Sequence, residues 1–155
     1  MGAVPAGCGG AARARQGLAA RARVIGLLAG AAGTPREFLR SLTAALAASL
    51  QASDFSRGCP IATVALETAT ASSSLRSAAD QQFSAWEQEI ARGLAREAHP
   101  TAGDRELAAQ ILMLYEGALI MARVRRSTAP LLSLDAAFES LLAGRRPAAG
   151  RASRR

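Results

Sequence analysis

The twelve residues from 111 to 122, ILMLYEGALIMA, carry a single charge, Glu116, in an otherwise apolar run. A run of that length without alternation is too long for a buried strand and has the composition of a helix covered on more than one side. Leu, Ala and Met are strong helix formers and no Pro interrupts the flanks, so the pattern predicts one helix over 104–126. At about 1.5 Å per residue it spans about 33 Å, the width of a small domain. A chain of 155 residues amounts to about one domain and has too few other elements to cover such a helix on every side, so the run also predicts a partner.

The rest of the chain reads as helix too. Half of the residues are apolar, a fifth are charged, and aromatics make up only 4%. Ala and Leu dominate instead, which favours helices packed through small side chains over sheets built from β-branched and aromatic residues. Thr34 is placed to cap a helix, with Pro35 at its first position and Glu37 where it closes a capping box. Leu39, Leu42, Leu46 and Leu50 then make an apolar stripe down residues 35–52. SDFSRG (53–58) breaks that helix, and Pro60 restarts one with Cys59 as its cap, running to about Ala71. Ser72 to Ser74 offer the next cap, and the steps from Leu75 through Ala79, Phe83, Trp86 and Ile90 to Leu94 predict an amphipathic helix over 74–98. Thr101 or Asp104 caps the long apolar helix, and STAP (127–130) ends it. A last helix over 131–143 shows Leu134, Phe138, Leu141 and Leu142 and is closed by Gly144. Near the front, Leu18, Ala22, Ile25 and Leu28 share a face over 12–31. With no strand pattern and no internal repeat, the predicted fold is an all-α helical bundle. The Gly-rich start at 1–10 and the Arg-rich end at 145–155 are expected to be disordered.

The formal charge of +7 is concentrated at the two ends. Residues 1–36 hold five Arg and no acid, residues 145–155 hold another five Arg and no acid, and the middle is slightly acidic. The ends are therefore either solvated tails or weak electrostatic contacts to DNA, and the chain has no Lys at all. Cys8 and Cys59, far apart and with His99 the sole histidine, supply neither a disulfide framework nor a zinc site, which points to a cytoplasmic protein. No run of 18 apolar residues predicts a membrane span. RARQGLAARARVIGLLAGAAG (13–33) has the charge order of an export signal, but its basic part is long and helical.

Each chemical candidate has a plainer rival. At a helix cap, Cys59 faces backbone N–H groups that lower a thiol pKa, yet a buried cysteine is more often inert packing. Glu67 and Glu116 sit in apolar company, where two desolvated carboxylates facing one cavity bind a cation or exchange protons. Alternatively each reaches an Arg or a rim of water. Phe83, Trp86 and Tyr115 line a pocket or simply fill the core. There is no phosphate loop, HExxH or GxSxG, so no enzyme is expected, and no metal or cofactor.

Three segments carry a further reading: SDFSRGCPIATVALE (53–67), LRSAADQQFSAWEQEIARGL (75–94) and LYEGALIMARVRRSTAPL (114–131). In order and spacing, their Gly-Cys-Pro-Ile helix start, Phe and Trp, and Glu-Gly-Ala-Leu segment resemble the C-terminal domain of TetR-family transcriptional regulators, of the subgroup typified by LmrA and YxaF. The resemblance covers Pro35 to Gly144 and implies an effector-binding and dimerisation domain, which would occupy 34–144. The last two long helices, 104–126 and 131–143, would pair with their copies in a four-helix homodimer seam. Leu107, Ile111, Leu114, Gly117, Ala118, Met121, Leu134, Phe138 and Leu141 are its candidate contacts.

The resemblance also implies a cavity among helices 35–52, 60–71, 74–98 and 104–126. A small apolar or amphipathic effector would be bound there by Cys59, Ile61, Val64, Phe83, Trp86, Tyr115 and Glu116. In a complete member, effector binding shifts the helices that space two DNA-binding heads. Here residues 1–34 hold no Tyr, Phe or Lys with which to match a recognition helix, and 12–31 at most matches the linker helix. The expectation is a regulator lacking its DNA-binding domain, with weak DNA contact through the Arg tails. The alternative is a helical interaction protein that forms mixed dimers with an intact regulator.

Overall fold

The structure, a computed structural model, describes residues 21–68, 70–95 and 100–144. The Gly-rich start, the front of the 12–31 helix, the end of the 74–98 helix and the Arg-rich tail lie outside the described residues. Helix follows helix: α1 (21–31), α2 (Pro35–Ala52), α3 (Pro60–Thr68), α4 (Ser73–Leu94), α5 (Ala102–Arg125), α6 (Ala129–Leu132) and α7 (Leu134–Ala143), with no strand among the described residues.

Local chemistry sets the helix starts. Thr34 Oγ1 accepts the Glu37 N–H at 3.1 Å, while the Glu37 carboxylate reaches one residue further back than expected and takes the Gly33 N–H at 3.0 Å. Cys59 caps α3 with its sulfur, which accepts the Ala62 N–H at 3.3 Å. Ser72 Oγ accepts the Leu75 N–H at the head of α4. Thr101 and Asp104 form a reciprocal capping box, so α5 begins two residues earlier than predicted and Asp104 is a buried part of the cap. The predicted 131–143 helix is divided. Pro130 opens the single turn α6, the Ser133 hydroxyl donates to its carbonyl at 2.8 Å, and α7 starts afresh at Leu134.

The core is assembled from one stripe of each helix. Phe38, Leu39 and Leu50 of α2, Trp86, Ile90 and Leu94 of α4, Ile111 of α5 and Leu131 of α6 are all shut off from solvent. α4 packs against α5, α2 and α3, while α6 and α7 close over α2 and α5. Gly93 lets α4 ride directly over the Phe38 ring, since a Cβ at that position would lie 2.5 Å from two ring carbons. One polar knot crosses the core. The Tyr115 hydroxyl donates to Leu39 O at 3.0 Å, and Thr43 Oγ1 lies 2.9 Å from both of those oxygens. These bonds tie α5 to α2 without leaving a buried hydroxyl unpaired.

α5 departs from the expectation of burial all round. Leu107, Ala108, Ile111, Tyr115, Ala118 and Ala122 face the core, whereas Met113, Leu114, Gly117, Ile120, Met121 and Val124 face outward. Met113 is 66% exposed and Val124 79%. The helix is long and apolar enough to cross a bilayer, but its other face is already committed to α4, α6 and α7, and through Tyr115 to α2.

Past α5 the chain turns through Arg126, a C-cap at φ 48°. Its guanidinium reaches the Asp54 carboxylate at 2.6 Å and lies over the Phe55 ring, which pins the SDFSRG turn to the end of α5. Asp54 and Phe55 themselves take positive φ, so the turn is strained backbone held down by a neighbouring helix.

Candidate ligand cavity

α1, α2, α4 and α5 line a half-open cavity of about 310 Å³, at the lower end of the range for small-molecule sites. Ile25 and Val24 of α1, Leu42 and Leu46 of α2, Trp86 and Ile90 of α4, and Leu112 and Leu119 of α5 give it mostly apolar walls. Tyr115, Ser49, Glu116 and Arg21 bring the polar groups. The amphipathic register of the helices explains the composition, because these residues sit at the edges of the stripes that build the core.

Arg21 lies with its guanidinium carbon 5.7 Å from the centre of the Trp86 ring, a cation–π placement. Phe83 meets Trp86 edge to face at 6.1 Å between ring centres. Two buried polar atoms here have no hydrogen-bond partner, Trp86 Nε1 and Glu116 Oε2. Burial holds the Glu116 carboxyl above its ordinary pKa, opposed by a hydrogen bond from the Cys59 thiol and by the charge of Arg21. Burial likewise raises the Tyr115 hydroxyl.

A second groove of about 270 Å³ runs between α3 and α5, past Cys59, Leu66, Glu67, Ile120 and Arg123, and Glu116 borders it as well. Burial pushes the Cys59 thiol up to about 12, and the neighbouring Glu116 adds to the shift. That outweighs the lowering by the backbone N–H groups at the head of α3, so Cys59 is a cap and a donor to Glu116 instead of a nucleophile. With Cys8 replaced by Ser, the folded protein is expected to react with an aromatic disulfide at pH 8 at least about a hundredfold more slowly than the same protein in urea. Equal rates would overturn that assignment.

The pocket residues expected from the sequence are only partly brought together. Trp86, Tyr115 and Glu116 line the cavity, and Phe83 supports Trp86 from behind. Cys59 stands on the far side of Glu116, Ile61 is buried in the core, and Val64 is 43% exposed. α3 is therefore not a wall of the main cavity. α1 replaces it, through Arg21, Val24 and Ile25, and the only signal for this was the apolar face that Ile25 shares with Ala22 and Leu28. Glu67 and Glu116 border the same groove, but among the described residues no cluster of His, Cys, Asp and Glu could hold a metal ion.

The expected seam residues also divide. Leu107, Ile111, Ala118, Leu134 and Phe138 are buried in the chain's own core, Phe138 with its ring 5.1 Å from that of Tyr115, so they have no surface left for a second copy. Leu114, Gly117 and Met121 lie on the outward stripe of α5, and Leu141 is half-buried at the groove where α7 meets α5. The face pointing inward is set by the packing of α2 and α4, which a run as uniformly apolar as 111–122 does not announce.

Linkage gives Glu116 a testable sign. Its pKa is higher folded than unfolded, so its contribution to stability is fully present below the unfolded value and is lost as pH rises through the folded one. Glu116→Gln, which keeps an acceptor for the Cys59 thiol, is expected to match the parent near pH 4 and to exceed it at pH 8. The gap should be on the order of 1 kcal/mol in urea unfolding. A gap that does not change with pH would show that the carboxylate is well solvated.

The described residues thus form an all-α bundle with a mostly apolar cavity beside a long helix. Residues 35–137 match the C-terminal domain of LmrA/YxaF-like transcriptional regulators, a TetR-type domain, and the chain belongs to that family. The family is regulatory and not enzymatic. No curated protein and no solved structure gives a match to the chain.

Proposed function

We propose that this chain is the effector-binding and dimerisation part of a TetR-like transcriptional regulator, working in the cytoplasm as a homodimer. One observation carries the reading: α5 gives one edge to the cavity, through Leu112, Tyr115, Glu116 and Leu119, and leaves an apolar stripe uncovered on its outer side. A stripe that contains Met113, Leu114, Ile120, Met121 and Val124 is unfavourable in water and suits a second copy of α5, with the end of α7 beside it. Gly117, in its middle, allows two helices to approach closely. A small, largely apolar effector in the cavity would then bias the same helix that holds the two subunits together.

Sedimentation equilibrium at micromolar concentration is expected to give twice the chain mass, and a stable monomer would overturn the reading. The family match begins at residue 35, and nothing in residues 1–34 resembles a recognition helix. The reading therefore assigns no DNA-reading element to that stretch. DNA binding by this chain is expected to be weak and to vanish between low and physiological salt, as contact through arginines alone would do. The same stripe would also serve a mixed dimer with an intact regulator, which co-purification of the two chains would reveal.

A further inference from the structure

Two charged residues, Arg21 and Glu116, border the cavity among its described lining, and Arg21 lies over the Trp86 ring. Glu116 keeps one carboxylate oxygen buried without a donor. Trp86 is 2% exposed and turns a ring face toward a guanidinium, the arrangement by which aromatic rings attract cations. The remaining walls, Ile25, Leu42, Leu46, Ile90 and Leu112 among them, offer no charge. An anionic ligand would meet the carboxylate of Glu116 at close range, and a neutral ligand would leave both the carboxylate and the ring face unused. A cation satisfies both: the Arg21 guanidinium shows that one fits over the ring, while Glu116 Oε2 still lacks a donor.

We propose that the cavity selects an apolar ligand carrying one cationic amine, which pairs with Glu116 and competes with the Arg21 guanidinium for the face of Trp86. This rests on the effector-cavity reading above and adds the chemical class of the effector. It also gives binding a mechanical outcome. Arg21 belongs to α1, so a ligand that takes its place removes one of the contacts that hold α1 against α4. An amine thus acts on α1 where an alcohol of the same shape would only fill space.

Trp86 is the chain's single tryptophan, so its fluorescence reports on this site alone. The test titrates the full chain with three probes of matched shape: 4-phenylbutylamine, 4-phenylbutan-1-ol and 4-phenylbutyrate. The amine is expected to bind about tenfold or more tighter than the alcohol, and the carboxylate weakest of the three. The chain's net charge of +7 favours the opposite order, so that ranking has to come from the site. Glu116→Gln should bring amine and alcohol to within about twofold of each other, and Arg21→Met should tighten the amine more than the alcohol.

Equal binding of amine and alcohol, or preferred binding of the carboxylate, overturns the amine assignment while leaving the cavity as an effector site. Should no probe bind, the effector-cavity reading falls and the amine assignment with it. The ranking on the parent protein decides the matter even where a variant does not fold.

Discussion

Gly117→Arg is expected to turn the proposed homodimer into a folded monomer. Within a single chain nothing lies within 4 Å of a Cβ added at Gly117, so the substitution meets no obstacle in its own subunit. Replacing a glycine in a helix interior even favours the helix, by roughly 0.5–1 kcal/mol. Across a seam the balance reverses. A long side chain would hold two copies of α5 apart, and a guanidinium buried without a partner costs several kcal/mol. Loss of that size corresponds to a dimer weakened by more than about a hundredfold. Sedimentation velocity measures the change, while circular dichroism on the same sample should keep its helical signal. The melting temperature should lose its dependence on protein concentration. A variant that remains as dimeric as the parent would remove α5 from the seam.

Gly93→Ala should act in the opposite place and with the opposite sign from an ordinary helix glycine. Propensity alone predicts a gain of about 1 kcal/mol. The new methyl would, however, arrive 2.5 Å from the ring of Phe38, which has no exposed surface and no room to swing aside. Overpacking of a closed core typically costs about 1–3 kcal/mol and sometimes more, so packing should win and the urea midpoint should fall. Gly93→Val, which also crowds the helix through its branched Cβ, should lower it further. Pairing Gly93→Ala with Phe38→Leu is expected to return part of the loss, because the two positions share one contact. A Gly93→Ala variant more stable than the parent would mean that α2 and α4 are further apart than described.

The helix starts were legible residue by residue, because each rests on chemistry within four positions. Thr34 with Pro35 and Glu37, Cys59 before Pro60, and Ser72 all cap where the sequence puts them. The division of the last helix at Ser133, whose hydroxyl bonds the Pro130 carbonyl three residues back, is local too, but no periodicity predicts it. Other features depend on partners distant in the chain. The resemblance implies a seam on α5 and α7 but not the side of each that faces out, and Ile111 and Phe138 lie buried in the chain's own core. The cavity was half legible. Trp86, Tyr115 and Glu116 were identified from their chemistry, whereas Arg21 looked like one more charge on a basic front end until α1 was seen to form a wall.

Glu116 and Gly117 are neighbours in the chain, one bordering the cavity and the other open to solvent on the outer stripe. About 100° of turn separates them on a helix of 24 residues packed against the core along one side. A rod of that kind has no way to roll at one surface and stay still at the other. In the proposed homodimer, enlarging the cavity for a bulkier guest would therefore rotate the seam, and tightening the seam would squeeze the cavity. On that reading, ligand size and self-association are one adjustable quantity, to be screened together by anyone re-engineering this domain as a sensor.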